Sequence, residues 1–306
     1  MRYENHRTLH VAFALVLVGC LIAGTQVLAT DLPTGKVDQK AKFAKDGSVT
    51  IETLAGSIEI IGWDKDEIQV TGTVEEKAEK FVFDVGKKKA RLKVEYPNHT
   101  KGNVEGSHLT IQLPRGYKED ASTVSADITA EKVTGRLYPQ TVSGDVKVSG
   151  TLAEVEVETV SGEIDLDVES GSVRANSVSG DLTLNGVKGE VNAETVSGEI
   201  MIKGGAFKRL DANSVSGDVE FHGALSGDGN FRFNSHSGDV VLYIPANTSA
   251  DFNVNTFSGD IDNSFGPEAE RTSKYTPGKE LEFTTGNGDA RVRINTFSGD
   301  VELLKK

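Results

Sequence analysis

Carboxylates recur at Asp145, Glu163, Asp181, Glu199, Asp218, Asp239, Asp260 and Asp300, each directly after a Ser-Gly pair. Hard cations such as calcium take stacked oxygen ligands, and neighbouring carboxylates about 5 Å apart suit glycoside hydrolysis. Both chemistries meet an objection in the spacing. The calcium-binding β-roll carries its glycines and aspartate every nine residues, whereas this chain has one Ser-Gly-acid phrase per eighteen or more. An acid present in every repeat also marks a scaffold position rather than one privileged catalytic pair. The bland expectation is that each acid accepts hydrogen bonds from turn amides, with these eight residues kept as the only cation candidates.

Two further polar columns accompany the acids. Hydroxyls stand at Thr159, Ser177, Thr195, Ser214, Ser235, Thr256 and Thr296, beside Asn176, Asn213, Asn234, Asn255 and Asn295. Stacked in register, such residues are expected to bond to their own copies along an axis. His99, His108, His222 and His236 are scattered, and no metal-ligand spacing, nucleophile elbow or phosphate loop is present. No catalytic residue and no cofactor is expected, so the chain reads as a non-enzyme.

The elements that position these columns follow from the period. The glycine of the repeated phrase falls at Gly144, Gly162, Gly180, Gly198, Gly217, Gly238, Gly259 and Gly299. The steps are therefore 18, 18, 18, 19, 21, 21 and 40 residues. After each acid come alternating apolar residues such as Ile164 and Leu166, or Leu182 and Leu184. Before each hydroxyl come pairs such as Val173 and Ala175, or Val191 and Ala193. Alternation of this kind defines strands with one buried side. A unit of two short strands cannot bury that side alone, but copies stacked about 4.8 Å apart can. The predicted fold is all-β: a parallel β-helix of about 18–21 residues per coil. A right-handed coil is favoured, because parallel crossovers take that hand and the apolar steps show no six-residue rhythm. A sandwich of hairpins would not keep one long period.

Side-chain size rises along the stack. The column Val157, Ala175, Ala193, Ala212 gives way to Phe233, Val254 and Ile294. The column Val142, Val160, Val178, Val196, Val215 gives way to His236, Phe257 and Phe297. Larger residues begin where coils lengthen, as a wider cross-section needs, so both columns are expected inside, with the aromatics as core filler. A bend at Ser-Gly is invoked to bring the valines back to the interior. Residues 73–116 break the rhythm and are expected to form irregular capping strands. Residues 262–280 form an inserted loop, and the last strand, with Lys305 and Lys306, a charged final edge.

The ends and composition bound the setting. Arg2 and Arg7 precede an apolar run from Val11 to Ala23, then Val27-Leu28-Ala29. This predicts a secretory signal peptide over 1–29, followed by a linker over 30–46 and a single solenoid domain over 47–306. The run is interrupted too soon for a membrane span, which needs about 18 or more apolar residues. Leu17-Val18-Gly19-Cys20 also resembles a bacterial lipobox, making Cys20 a lipidation candidate and a lipid anchor the alternative route to the envelope. Cys20 is the only cysteine, so no disulfide within the chain is possible. The formal net charge of −13 becomes −14 without Arg2, Arg7 and Glu4 (net +1). Such a charge repels phosphate backbones and anionic lipid, so no nucleic-acid partner is expected.

The stretch "GSVTIETLAGSIEIIGWDKDEIQVTG", the "TVSGDV" phrases and the closing "NGDARVRINTFSGDVELL" resemble bacterial "putative-adhesin" β-helix proteins, cell-envelope proteins with a domain of unknown function. The resemblance runs from Gly47 to Leu304. It implies a β-helical fold, export to the periplasm or cell envelope, and a scaffold or adhesin-like surface for an envelope protein or glycan. It brings no catalytic residues. The alternative is a calcium-stabilised or polysaccharide-processing β-helix.

Overall fold

A computed structural model describes residues 29–97 and 104–306. Among them every regular element is a strand. The signal-peptide segment through Leu28, Cys20 and His99 lie outside the described residues.

The central coils stack as the period requires. Val146–Leu152 pairs in parallel with Ile164–Ser170, placing Val146 beside Ile164 and Val148 beside Leu166. Ile164 then meets Leu182, Leu182 meets Ile200, and Ile200 meets Val219. A second parallel ladder joins Glu154–Glu158 to Ser172–Asn176 and continues through residues 190–195, 209–214 and 230–235. The protein is thus a β-solenoid whose two ladders meet at the Ser-Gly corners and enclose one apolar core. Phe221 of one ladder touches Phe233 of the other, ring centroids 5.5 Å apart. That contact shows the two inner faces meeting.

Lengthening from 18 to 21 residues is absorbed at the corner opposite Ser-Gly. Register shifts concentrate between Asn185 and Glu190 and between Gly204 and Arg209. Phe207 from this bulged segment is fully buried and packs edge-on to Phe221 at 5.6 Å. Extra residues and extra core volume arrive together, as close packing demands.

Both ends depart from simple winding order. Ser48–Trp63 lies between Lys118–Val133 on one side and Lys89–Glu95 with Ser107–Pro114 on the other. Residues 89–114, expected to be irregular, therefore supply two strands to the parallel stack, outside the coil that precedes them in sequence. Antiparallel strands finish this end: Lys80–Val85 and Ala29–Leu32 cover one ladder, Glu67–Val74 and Gly35–Lys42 the other. The stretch 30–46, expected as a linker, is thus mostly strand.

At the opposite end the final coil slides inward. Ala290–Ser298 sits between residues 230–235 and Ala250–Ser258, and Val301–Lys305 between Val240–Ile244 and Ile261–Asn263. The last strand is interior to the sheet, not the charged edge expected of it. The inserted residues after 262 carry the chain over the end of the stack. Lys279–Thr285 then pairs antiparallel with Ala250–Ser258 and closes that ladder. Covering a parallel edge with a reversed strand removes the row of unpaired groups that would otherwise recruit another chain.

The repeated glycine follows from coil contact. A Cβ at Gly162, Gly180, Gly198 or Gly217 would overlap the carbonyl oxygen of the glycine one coil before it. Replacing Gly180 by Ala is expected to destabilise the fold by about 1–3 kcal/mol, read as a lowered midpoint in denaturant. Gly171→Ala, where the added methyl meets nothing within 4 Å, is expected to leave the midpoint unchanged.

Candidate functional surface

The phrase hydroxyl-Val-Ser-Gly-acid builds one corner of each coil. The hydroxyl faces inward: Thr141, Thr159, Ser177, Thr195, Ser214, Ser235, Thr256 and Thr296 are all buried. In the first three of these coils it accepts from the amide three residues later. Gly144, Gly162 and Gly180 donate their N–H to Thr141, Thr159 and Ser177 at 3.0, 3.0 and 2.8 Å. Several hydroxyls donate in turn to the glycine carbonyl of the adjacent coil, as Ser235 does to Gly217 at 3.1 Å and Thr256 to Gly299 at 3.0 Å. Among the described residues these hydroxyls bond to corner backbone and not to their own copies, except Ser214, whose buried Oγ has no partner. Asparagines do bond to one another along part of the column: Asn234 Nδ2 donates to Asn213 Oδ1 at 2.8 Å, and Asn295 Nδ2 to Asn234 Oδ1 at 3.0 Å.

The valine column is the main correction to the sequence expectation. With the hydroxyl inside, the next two residues both face outward and the alternation changes phase. Val196 and Val215 are 37% and 45% exposed; Phe297 and Phe257, at the same position in later coils, are 48% and 49% exposed. Val142, Val160 and Val178 are partly buried by their neighbours, and His236 is exposed. Where the hydroxyl caps the glycine, as Thr141, Thr159 and Ser177 do, a valine turned inward would displace it and leave a buried glycine N–H unpaired, a cost of about 1–3 kcal/mol. That cost outweighs the partial burial of one valine. The aromatics of this column are surface residues; Phe207, Phe221, Phe231 and Phe233 are the core fillers.

The acids run along the outside of the same corner. Asp145 Oδ1 accepts the backbone N–H of Glu163 at 3.0 Å, Asp181 that of Glu199 at 2.8 Å, and Asp218 that of Asp239 at 2.8 Å. Asp239 accepts from Asp300 and Asp300 from Asp260, both at 2.7 Å, following the altered coil order. Asp127 begins the series by accepting from Asp145 at 3.0 Å. One oxygen of each of these aspartates is thus engaged by the next coil. Among the described residues no group of three His, Cys, Asp or Glu side chains is placed to hold a metal ion.

The remaining candidate groups do not converge. His108 Nδ1 bonds the Ser57 hydroxyl at 2.8 Å; His222 contacts Glu220 and stacks on Tyr243 at 4.3 Å. A shallow depression of about 650 Å³ beside His222 is lined also by Lys203, Pro245 and Lys306. A second, of about 290 Å³, is lined by charges that pair among themselves, Arg174 with Glu156 at 3.1 Å and Arg209 with Asp211 at 2.7 Å.

One buried titratable group escaped sequence reasoning. Glu119 is fully buried between Val49 and Leu137 in the ladder. Tyr117 Oη donates to its Oε2 at 3.3 Å, while Oε1 has no partner. Burial pushes the Glu119 carboxyl up to about 8, with the tyrosine bond pulling the other way. The available signal was phase, since Glu119 alternates with Ala121 and Thr123, both inward.

Comparison with known proteins can now be set against this geometry. Residues 47–304 match the family model "Toastrack DUF4097", and the chain belongs to that family. Comparison with curated proteins found no match. Similar solved structures include a "putative cell adhesion protein" from Clostridium sporogenes (13% identity, 89% of this chain, 100% of that one, TM-score 0.21). A "putative adhesin" from Bacteroides fragilis shows 10% identity over 88% of this chain and 97% of its own, TM-score 0.41. A "putative lipid binding protein" from Parabacteroides distasonis shows 12% identity over 89% and 97%, TM-score 0.41.

Two outcomes follow. The folded Glu119 has a pKa near 8 against an ordinary 4.5, so between those values the unfolded chain is ionised and the folded one is not. Stability therefore falls as pH rises through that window, by an amount on the order of a few kcal/mol. Glu119→Gln is expected to flatten the dependence in denaturant midpoints measured from pH 5 to 8.5. For the acid row, Asp145→Asn retains an amide acceptor and Asp145→Ala removes it. The alanine variant is expected to lose about 1 kcal/mol and the asparagine variant little, while adding EDTA leaves the wild-type melting curve in place.

Proposed function

We propose that the chain is exported and acts as a non-enzymatic scaffold, or adhesin-like binding surface, in the bacterial cell envelope. The observation that carries this reading is the engagement of the recurring polar side chains in the scaffold itself. Most of the hydroxyls bond the corner backbone, aspartates hold the next coil's amide, and asparagines bond in series. What remains outward, among the described residues, is a long repeating surface without a single converging set of reactive groups. Repeat solenoids use such extended surfaces for binding.

Supporting the export part are the basic start, the apolar run and the small residues before position 30. Signal peptidase cleavage after Ala29 leaves Thr30 as the amino terminus; lipoprotein processing would leave Cys20. The partner class is an envelope protein or glycan. The loop over 263–280, which contains the exposed Tyr275, is a candidate contact. Long connections in compact domains are often functional.

Mass measurement of the mature chain purified from its host tests the compartment. A terminus at Thr30 or a lipid-modified Cys20 is expected, and an unprocessed Met1 would rule the reading out. Immobilised protein exposed to solubilised native envelope tests the role. Specific retention of one component is expected, reduced several-fold when residues 266–276 are replaced by a short Gly-Ser linker. Release of new sugar ends from envelope or plant polysaccharide would instead make the chain an enzyme.

A further inference from the structure

The outward column at the Ser-Gly corner forms a ridge that is apolar apart from His236, with its middle valines half-buried and both ends exposed. In spatial order it runs from Val124 through the valines to Val196, Val215, His236, Phe297 and Phe257. The last three rungs stack as rings, His236 on Phe297 and Phe297 on Phe257, each at 4.8 Å with planes within 12° and 8° of parallel. Nine rungs at about 4.8 Å each make a stripe roughly 40 Å long. Val124, Val215, Phe297 and Phe257 are each more than 40% exposed, and contiguous exposed apolar surface of this kind marks interaction sites.

Three residues further along every corner stands an acid, so a row of carboxylates runs parallel to the ridge. Among the described residues only Asp260 in this row meets a cation, Lys279. The other carboxylates, from Asp127 to Asp300, have backbone amides or no partner at all. Like charges one coil apart repel by about 1 kcal/mol even in water. On the ladder that enters this corner some acids are balanced across coils: Arg174 meets Glu156, and Arg232 meets Asp211. The corner keeps its charges unbalanced beside its apolar residues.

We propose that this corner docks a basic protein surface, one presenting cationic side chains beside apolar ones. Charge complementarity selects this occupant over the alternatives. A second copy would set acid row against acid row. Anionic lipid is repelled by the row and by the net charge of −13. A neutral glycan would leave the carboxylates uncompensated, and rings stacked face to face offer their edges, not the open faces that a sugar platform needs. Apolar contact supplies adhesion, and the acid row steers and orients the partner.

This inference rests on the scaffold reading and deepens it. The probe is a 16-residue peptide alternating lysine and valine, with lysine–serine and glutamate–valine peptides as controls. Binding to the whole chain is followed by fluorescence anisotropy at 50 and 300 mM salt. The lysine–valine peptide is expected to bind at least tenfold more tightly than either control. Val215→Ser/Phe297→Ser/Phe257→Ser should weaken it at least tenfold. Asp181→Asn/Asp218→Asn/Asp239→Asn, which keeps the amide acceptors and removes only charge, should do the same and reduce the salt dependence. A charge-matched control, Asp165→Asn/Asp167→Asn/Asp228→Asn, should change binding less than twofold. Unchanged melting curves confirm that every variant is folded.

Equal loss with the control triple, or no loss with the serine triple, overturns the proposal. So does ridge-dependent binding to phosphatidylcholine vesicles, or ridge-dependent dimerisation in sedimentation, without peptide binding. If an envelope component is still captured by the serine triple, the ridge fails and the scaffold reading stands. Catalytic turnover would remove the scaffold reading whatever the peptide does.

Discussion

The structure depends on how closely successive corners approach one another. From Gly162 onward each coil turns at a glycine whose Cα lies against the carbonyl of the glycine in the adjacent coil, leaving no room for a Cβ; Gly144 meets the carbonyl of Ala126 in the same way. That contact keeps the ladders on both sides in register, because a corner held at one height holds both strands leaving it. It also buries an amide at the tightest point, which the inward hydroxyl satisfies at Gly144, Gly162 and Gly180, while later hydroxyls such as Ser235 and Thr256 donate to the neighbouring glycine carbonyl. Much of the corner's remaining chemistry follows: two residues forced outward, an acid placed to receive the next coil's N–H, and apolar alternation resuming in the opposite phase.

A fixed corner leaves the opposite one free to vary. Coil lengths change only where the ladder is already irregular, and the bulged residues bring Phe207 inward to fill the added width. The solenoid can thus widen along its axis without disturbing the repeating surface. Away from the inward hydroxyls, Glu119 places a carboxyl deep in the interior, fully buried. Its burial opposes its charge, and its place near one end of the stack confines that penalty to a single coil.

The ends follow a different logic. A parallel stack has two edges, and adding further coils only moves them. The chain instead reverses direction and tucks an earlier or later coil inside, so that antiparallel strands finish both ladders at the amino-terminal end and one ladder at the other. The insertion after residue 262 is thereby a structural necessity as well as a surface loop, since it lets the chain cross the end before its final coil enters the stack.

Much of this was legible in the amino-acid order. The eighteen-residue return of Ser-Gly-acid and the alternation around it define coils, two inward columns and parallel stacking, because strand alternation and repeat period are local properties. Residues such as Ile164, Leu182 and Val191 could be assigned to the core from neighbours alone. The face of the valine column could not, since it turns on the hydrogen-bonding need of a glycine amide that becomes buried only when the corner closes against another coil. Nor could the exchanged coil order at the ends, where the closely similar phrases at 235–239, 256–260 and 296–300 are interchangeable by pattern. Only three-dimensional packing against a finite edge distinguishes them. The sequence by itself determined the coil and its core; tertiary structure decided which apolar residues remain in water, and so where a partner can be met.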